Sequence, residues 1–298
     1  MVVFLAEFRG ELAALGAAAI WAVASIVYTQ VGRQLSPLML NLVKGCVAIV
    51  LLVLTLLLRG ELLPQVSTHS LGLLLLSGAI GIGFGDTAYF QALNRIGPRR
   101  SLVLEALAPP LAAVLAAQFL NEQLQTGAWA GIALTIVGVV WVVVERTPEI
   151  PQATSLSGVG FGVLAAVGQA GGAVLSRAAL LEAAVDPLWS TFIRLAAGVL
   201  VLLVWRLLQR RSPQDLKPLR SPQLALTIAA TAFASTYLAI WLQQLSLKYA
   251  PTGIAQSLSA TSPLFVTAIA LAMGNRVSAR AILGVVVALG GIWLLFGR

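Results

Sequence analysis

The chain repeats itself. Residues 85–145 lie over residues 238–298 with a constant offset of 153, which sets Pro98 on Pro251, Pro110–Leu111 on Pro263–Leu264, Gly131 on Gly284, Gly138 on Gly291 and Arg95 on Lys248. Further upstream the offset is 150, which sets Pro37–Leu38 on Pro187–Leu188 and Lys44 on Arg194. The three-residue change falls at the middle loop of each half. A duplication of this length constrains the fold more than any single motif, because whatever one half becomes the other must become too.

Composition says which solvent the repeat was built for. The 298 residues are 59% apolar and 10% charged, with a mean hydropathy of +0.93. A soluble domain carries about 25% charged residues, and no soluble core could bury this much apolar surface. The solvent is therefore lipid. The net charge of +8 does not point to nucleic acid, since no basic domain exists and the cations sit at the ends of apolar runs, where membrane proteins keep them. Cys46 is the one cysteine and His69, in a predicted loop, the one histidine. Neither a disulfide nor a Cys- or His-based metal centre can be built, and no cofactor is expected. The first residues lack the basic start, short apolar core and cleavage site of a signal peptide.

A lipid-spanning helix needs about 20 apolar residues. Ten runs qualify: 12–32, 36–58, 70–94, 99–120, 125–145, 156–181, 187–209, 222–247, 251–273 and 278–296. They predict an all-α integral membrane protein with two five-helix repeats, residues 1–150 and 151–298, joined by a linker over Thr147–Ser157. Five is odd, so the second repeat should enter the membrane from the opposite face and the repeats should be inverted. The even total puts both termini on one side. The cations divide unequally: Arg33, Arg95, Arg99, Arg100, Arg146, Arg206, Arg210, Arg211, Lys217, Arg220, Arg276 and Arg280 on one face, and Arg9, Arg59, Arg177, Lys248 and Arg298 on the other. The positive-inside rule makes the richer face cytoplasmic and places both termini outside.

An ionisable group inside lipid costs roughly 2.5–3.5 kcal/mol on insertion scales, so each needs a reason. Four lie well inside predicted helices: Lys44, Asp86, Glu105 and Arg194. Asp86 and Glu105 should reach the same level on adjacent antiparallel helices, roughly 13 Å from the turn between them at 1.5 Å per residue. They could share a proton or pair with Lys44 or Arg194; they are either interhelical glue or the lining of a solute or proton path. Lys44 and Arg194 occupy matched positions two turns into their helices and are expected to be structural, bonding backbone carbonyls at the repeat junction, with solute contact as the alternative. Candidate solute contacts are Trp21, Tyr89, Ser101, Glu105, Gln169, Tyr237, Trp241, Gln256 and Ser259. Polar and aromatic groups on apolar helices suit a small-molecule cavity, although some will be interhelical hydrogen bonds. The cavity is expected among helices 1, 3, 4, 6, 8 and 9, with helices 5 and 10 peripheral. Pro109–Pro110 and Pro263 should break helices four and nine in matching places. The glycine-rich stretch 81–85 is mid-helix, with no preceding strand and no following Lys-Ser/Thr, so it is no phosphate loop.

These features resemble the drug/metabolite transporter superfamily, EamA type. The resemblance rests on Ser36-Pro37-Leu38 leading to Lys44 and Asp186-Pro187-Leu188 leading to Arg194; on Tyr89–Ala92 with Pro98 and Ala108-Pro109-Pro110-Leu111; and on Lys248-Tyr249-Ala250-Pro251 with Ser262-Pro263-Leu264. Phe119-Leu120-Asn121-Glu122 is similar to that family's acidic helix-four ending, whereas the second copy reads Gly274-Asn275. The resemblance covers nearly the whole chain. It implies a secondary transporter, an exporter of amino acids or other small metabolites working by alternating access in a bacterial inner membrane, as a monomer with solute and lipid as partners. Relatives carrying sugars or drugs are the alternative. An intramembrane enzyme is the rival of a different class, but the chain has no Asp-rich diphosphate motif, no HExxH and no Cys–His pair, so no catalytic residue is assigned.

Overall fold

A computed structural model describes residues 7–31, 34–60, 66–145, 155–182, 184–209, 213–274 and 277–296. Most of the linker, the cations Arg33, Arg146, Arg210, Arg211, Arg276 and Arg298, and Asn275 lie outside them. Among the described residues, ten helices are long and apolar enough to cross a membrane: α1 (Arg9–Tyr28), α2 (Leu38–Arg59), α3 (Thr68–Ala92), α4 (Ser101–Phe119), α5 (Thr126–Val144), α6 (Leu156–Leu180), α7 (Pro187–Leu208), α8 (Pro222–Tyr249), α9 (Thr252–Ala272) and α10 (Ala279–Phe296). The chain is an all-α membrane protein.

Local chemistry sets the helix starts. Proline stands in the first turn of α2, α7 and α8, where its missing N–H has no helical acceptor to lose. Ser67, Ser155, Asp186 and Ser221 each accept a backbone N–H at the start of α3, α6, α7 and α8, satisfying donors that the first turn orphans. Ser67 also donates to Glu182 at 2.8 Å, tying the start of α3 to the end of α6 and holding the Glu182 carboxyl below the usual carboxylate range. Helix ends are turned by left-handed residues: Gly60 after α2, Asn121 after α4 and Gly274 after α9. Asn121 and Gly274 are repeat-equivalent.

The repeat shows in the irregularities. Helix α3 winds as a π-helix over Ala79–Gly85, and α8 does so over Phe233–Leu238, the matching place at an offset of 153. The breaks read from proline are also present. Helix α4 is interrupted at Ala106–Leu107 before Ala108–Phe119, and α9 at Ala260–Thr261 before Ser262–Ala272. The chain reverses between α3 and α4 against α6, which has Ile96 beside Gly158, Leu104 beside Gly162 and Gly85 beside Gly168.

Glycine lets these helices touch backbone to backbone. A Cβ on Gly172 would lie 3.1 Å from the Gly81 Cα, and one on Gly168 3.1 Å from the Gly85 Cα. Gly131 and Gly138 of α5 meet Gly284, Ala288 and Gly291 of α10 in the same manner. Helices α5 and α10 pack chiefly on each other, with Val137, Val144, Val286, Leu289 and Trp293 facing outward. Helices α1, α8 and α9 form one packed group, and α3, α4 and α6 another. Helices α2 and α7 lie against each other between them. The first and last described segments meet at one end, where the Phe8 and Phe296 rings lie tilted at 41° with centroids 5.2 Å apart.

Candidate functional site

The four deep ionisable residues are not scattered. Lys44 of α2 reaches across to Asp86, the first residue after the π stretch of α3, with Nζ 3.5 Å from Oδ2. The same ammonium lies 5.5 Å from the Phe90 ring centroid. Arg194 of α7 is within electrostatic range of Asp86 but not in a salt bridge with it. Its side chain rests against the π stretch, where a Cβ on Gly81 would sit 3.4 Å from Nη2. Arg194 is 3% exposed, and its Nε and Nη1 have no hydrogen-bond partner. An unsatisfied buried donor costs about 1–3 kcal/mol, and more when charged.

Among the described residues, neither cation bonds a backbone carbonyl, contrary to the sequence expectation. The reason lies in the packing. The π stretch seats Asp86 between the two matched cations, and Arg194 is flanked by glycine backbone that supplies no side-chain acceptor. The repeat explains the pairing of positions but not the acid, since Ala239 stands where Asp86 has its equivalent.

Glu105 ends the first segment of α4 and is half-buried. Asp86 acts on it electrostatically, and both acids act on Tyr89. No described residue bonds or ion-pairs with Glu105. Gln169 of α6 lies beside Gly85, one residue from Asp86. Ser101 is buried a turn before Glu105.

The remaining candidates group on α8 and α9. Trp21 of α1 donates its indole N–H to the Ser235 carbonyl at 2.9 Å, inside the second π stretch, where the altered register leaves carbonyls for outside donors. The Tyr28 and Ser235 hydroxyls are 2.9 Å apart, as are those of Thr55 and Tyr237. Phe233, Tyr237 and Trp241 form a ladder with centroids 5.5 and 6.4 Å apart. Gln256 and Ser259 are buried on the short first segment of α9, and the Ser259 Oγ has no partner. Gln244, level with Gln256 by sequence, turns instead to α6 and α7, accepting from Ser176 and, at 3.0 Å, from Ser190.

A second cluster has no signal in the sequence as a cluster: Glu122 and Lys248 stand out only singly, through the resemblance and the repeat, and Arg177 only as one of the face cations. At the end bearing the termini, Arg177 of α6 donates Nε to Glu122 at 2.7 Å. Its Nη1 donates to the Leu247 and Lys248 carbonyls at 2.7 Å each. The other Glu122 oxygen accepts from the Thr252 N–H at 2.7 Å. Cation and anion thus sit on the C-terminal end of α8 and the N-terminal end of α9, where each helix end carries the opposite partial charge. Lys248 reaches on to the Val185 carbonyl, and the Arg9 guanidinium lies 3.4 Å over the Tyr249 ring. The clasp joins α4, α6, α8 and α9 at one face.

Residues 8–144 and, separately, 156–297 match the model of the EamA-like transporter family. The chain is 35% identical over 133 residues to an uncharacterised protein of Pseudomonas aeruginosa; the match takes in 45% of this chain and 43% of that protein, so the chain spans less than half the length of the relative it matches. A protein of known crystal structure superposes with a TM-score of 0.78 at 18% identity over 97% of both chains, a likeness of fold.

Proposed function

The chain belongs to the EamA-like transporter family, and from that premise we propose that it exports small organic metabolites, amino acids first, by alternating access between two inverted five-helix repeats. The observation that carries the reading is a difference between equivalent helix ends. The end of α6 is clasped to the α8–α9 turn through Arg177, whereas the matching part of α1 bonds back to α8 through Trp21 and Tyr28. The clasp holds the face that bears the termini, and releasing it while the opposite face closes is the exchange that transport requires. The solute class follows from the lining, which is amide, hydroxyl and aromatic with two deep cations. A phosphorylated solute would want several charge-assisted partners.

The driving force is a gradient, and Asp86 and Glu105 are the residues assigned to proton coupling. Proteoliposomes with an internal pH dye test both points. Counterflow of a labelled amino acid is expected, with a pH change that vanishes in Asp86→Asn or Glu105→Gln. Absence of counterflow for every amino acid, with a phosphorylated sugar carried instead, would sink the substrate class. Full proton movement in both variants would remove the acids from coupling.

The chain is placed in a bacterial inner membrane with both termini outside, on the 12-to-5 division of its cations. A C-terminal fluorescent reporter that matures only in the cytoplasm is expected to stay dark. A bright reporter inverts the orientation and leaves the fold untouched.

A further inference from the structure

We infer that the deep charges form a site for a zwitterion, with Arg194 as the anchor of its carboxylate and Glu105 as the partner of its ammonium. The inference rests on the transport reading but concerns binding alone. Of the four deep ionisable groups, two are already matched: Lys44 and Asp86 form a pair at 3.5 Å. One cation, Arg194, and one anion, Glu105, remain. Arg194 is buried, with Nε and Nη1 unpartnered, and its side chain rests against the backbone of Gly81. A guanidinium offers five N–H donors in a plane and accepts nothing, so a carboxylate is the solute group that satisfies it. Asp86 does not fill that role, because it lies outside bonding distance of Arg194 and is held by Lys44. Glu105 has no bonding partner among the described residues, and Asp86 acts electrostatically on both it and Arg194. A carboxylate that no cation of the chain neutralises is the partner that a protonated amine seeks. A phosphate dianion is disfavoured here, since Lys44 is engaged and two carboxylates stand nearby.

Calorimetric titration of the full chain in nanodiscs decides the matter with three probes of one shape: phenylalanine, phenethylamine, which lacks the carboxylate, and 3-phenylpropionate, which lacks the amine. The wild type is expected to bind phenylalanine at least about tenfold more tightly than either truncated probe, a difference of about 1.4 kcal/mol. Arg194→Gln should erase the preference over phenethylamine and keep the preference over phenylpropionate. Glu105→Gln should do the reverse. Arg194→Lys, which keeps the charge but not the planar donors, should retain part of the first preference. Glu182→Gln, at an exposed acid outside the helices, controls for the loss of a negative charge and should match the wild type. Equal binding of phenylalanine and phenethylamine in the wild type overturns the assignment even if no variant folds, and so does an unchanged preference in Arg194→Gln. A wild type that binds neither phenylalanine nor any other member of an amino-acid panel overturns it as well. Intact discrimination with no amino-acid counterflow in proteoliposomes would sink the transport reading and leave the site standing.

Discussion

Gly78→Ala should leave little folded protein, while Gly160→Ala should be tolerated, although each adds one methyl group to a helix glycine. A Cβ on Gly78 would lie 2.7 Å from both the carbonyl carbon and the Cα of Arg194, and nearer still to its carbonyl oxygen. The obstacle is backbone, so no rotamer change relieves it and α3 must move off α7. Overpacking of a tight contact costs about 1–3 kcal/mol, and a clash with rigid backbone belongs at the upper end. The displaced segment also carries the π stretch that seats Asp86, so the loss should extend to the site. Gly160 has nothing within 4 Å of the added carbon, and alanine favours the helix by about 1 kcal/mol over glycine. Thermal unfolding of the two purified variants in one detergent provides the comparison. Equal melting temperatures would mean that α3 and α7 do not pack as described.

The helices were legible because lipid imposes a simple rule. Each predicted run coincides with a spanning helix to within a few residues, since every backbone group in hydrocarbon must be bonded within its own segment. The breaks in α4 and α9 were legible for a local reason, proline at Pro109–Pro110 and Pro263. The π stretches were not. The segments 79–85 (AIGIGFG) and 233–238 (FASTYL) share no residue pattern, and their winding is set by neighbours, Gly168 and Gly172 on one side and Trp21 on the other. Lys44 and Arg194 were found through the repeat, yet their partners were misread, because symmetry of position carries no information about the unmatched acid between them. Arg177 falls near the end of the run 156–181 and reads as one of the cations of its face. Its partners, Glu122, Leu247 and Lys248, lie 55, 70 and 71 residues away in sequence, and no local signal marks them.

The chain's own departures from its repeat are where function is to be sought. Asp86 faces Ala239 in the second copy, and Glu122 faces Gly274-Asn275. The first difference gives the centre of the bundle an acid with no twin. The second gives one face an acid for a clasp that the other half does not encode in the same way. A carrier with identical halves would have no preferred face, so unequal halves bias which conformation the empty protein adopts.

Arg177→Ala should therefore open the face that bears the termini. The substitution strips the Leu247 and Lys248 carbonyls of their donor and leaves Glu122 without its cation. Breaking a fully buried pair by removing one partner costs 3–5 kcal/mol. Both side chains here are 12% exposed, so about 2–3 kcal/mol is expected. At 1.4 kcal/mol per factor of ten, that shifts the balance between clasped and open forms roughly 30- to 140-fold. Glu122→Gln should shift it less, because an amide oxygen can still accept from the Thr252 N–H and from Arg177. Spin labels on Leu181→Cys and Tyr249→Cys, at the two sides of the clasp and in a Cys46→Ser background that removes the exposed native thiol, report the result by pulsed dipolar spectroscopy. The parent chain should give one short distance, and Arg177→Ala should add or convert to a longer one. Arg177→Lys should fall between, since one ammonium cannot serve Glu122 and two carbonyls with the same geometry. A distance distribution unchanged by Arg177→Ala would reduce the clasp to a static brace within a rigid end of the bundle, and the conformational exchange would then have to be sought at another contact.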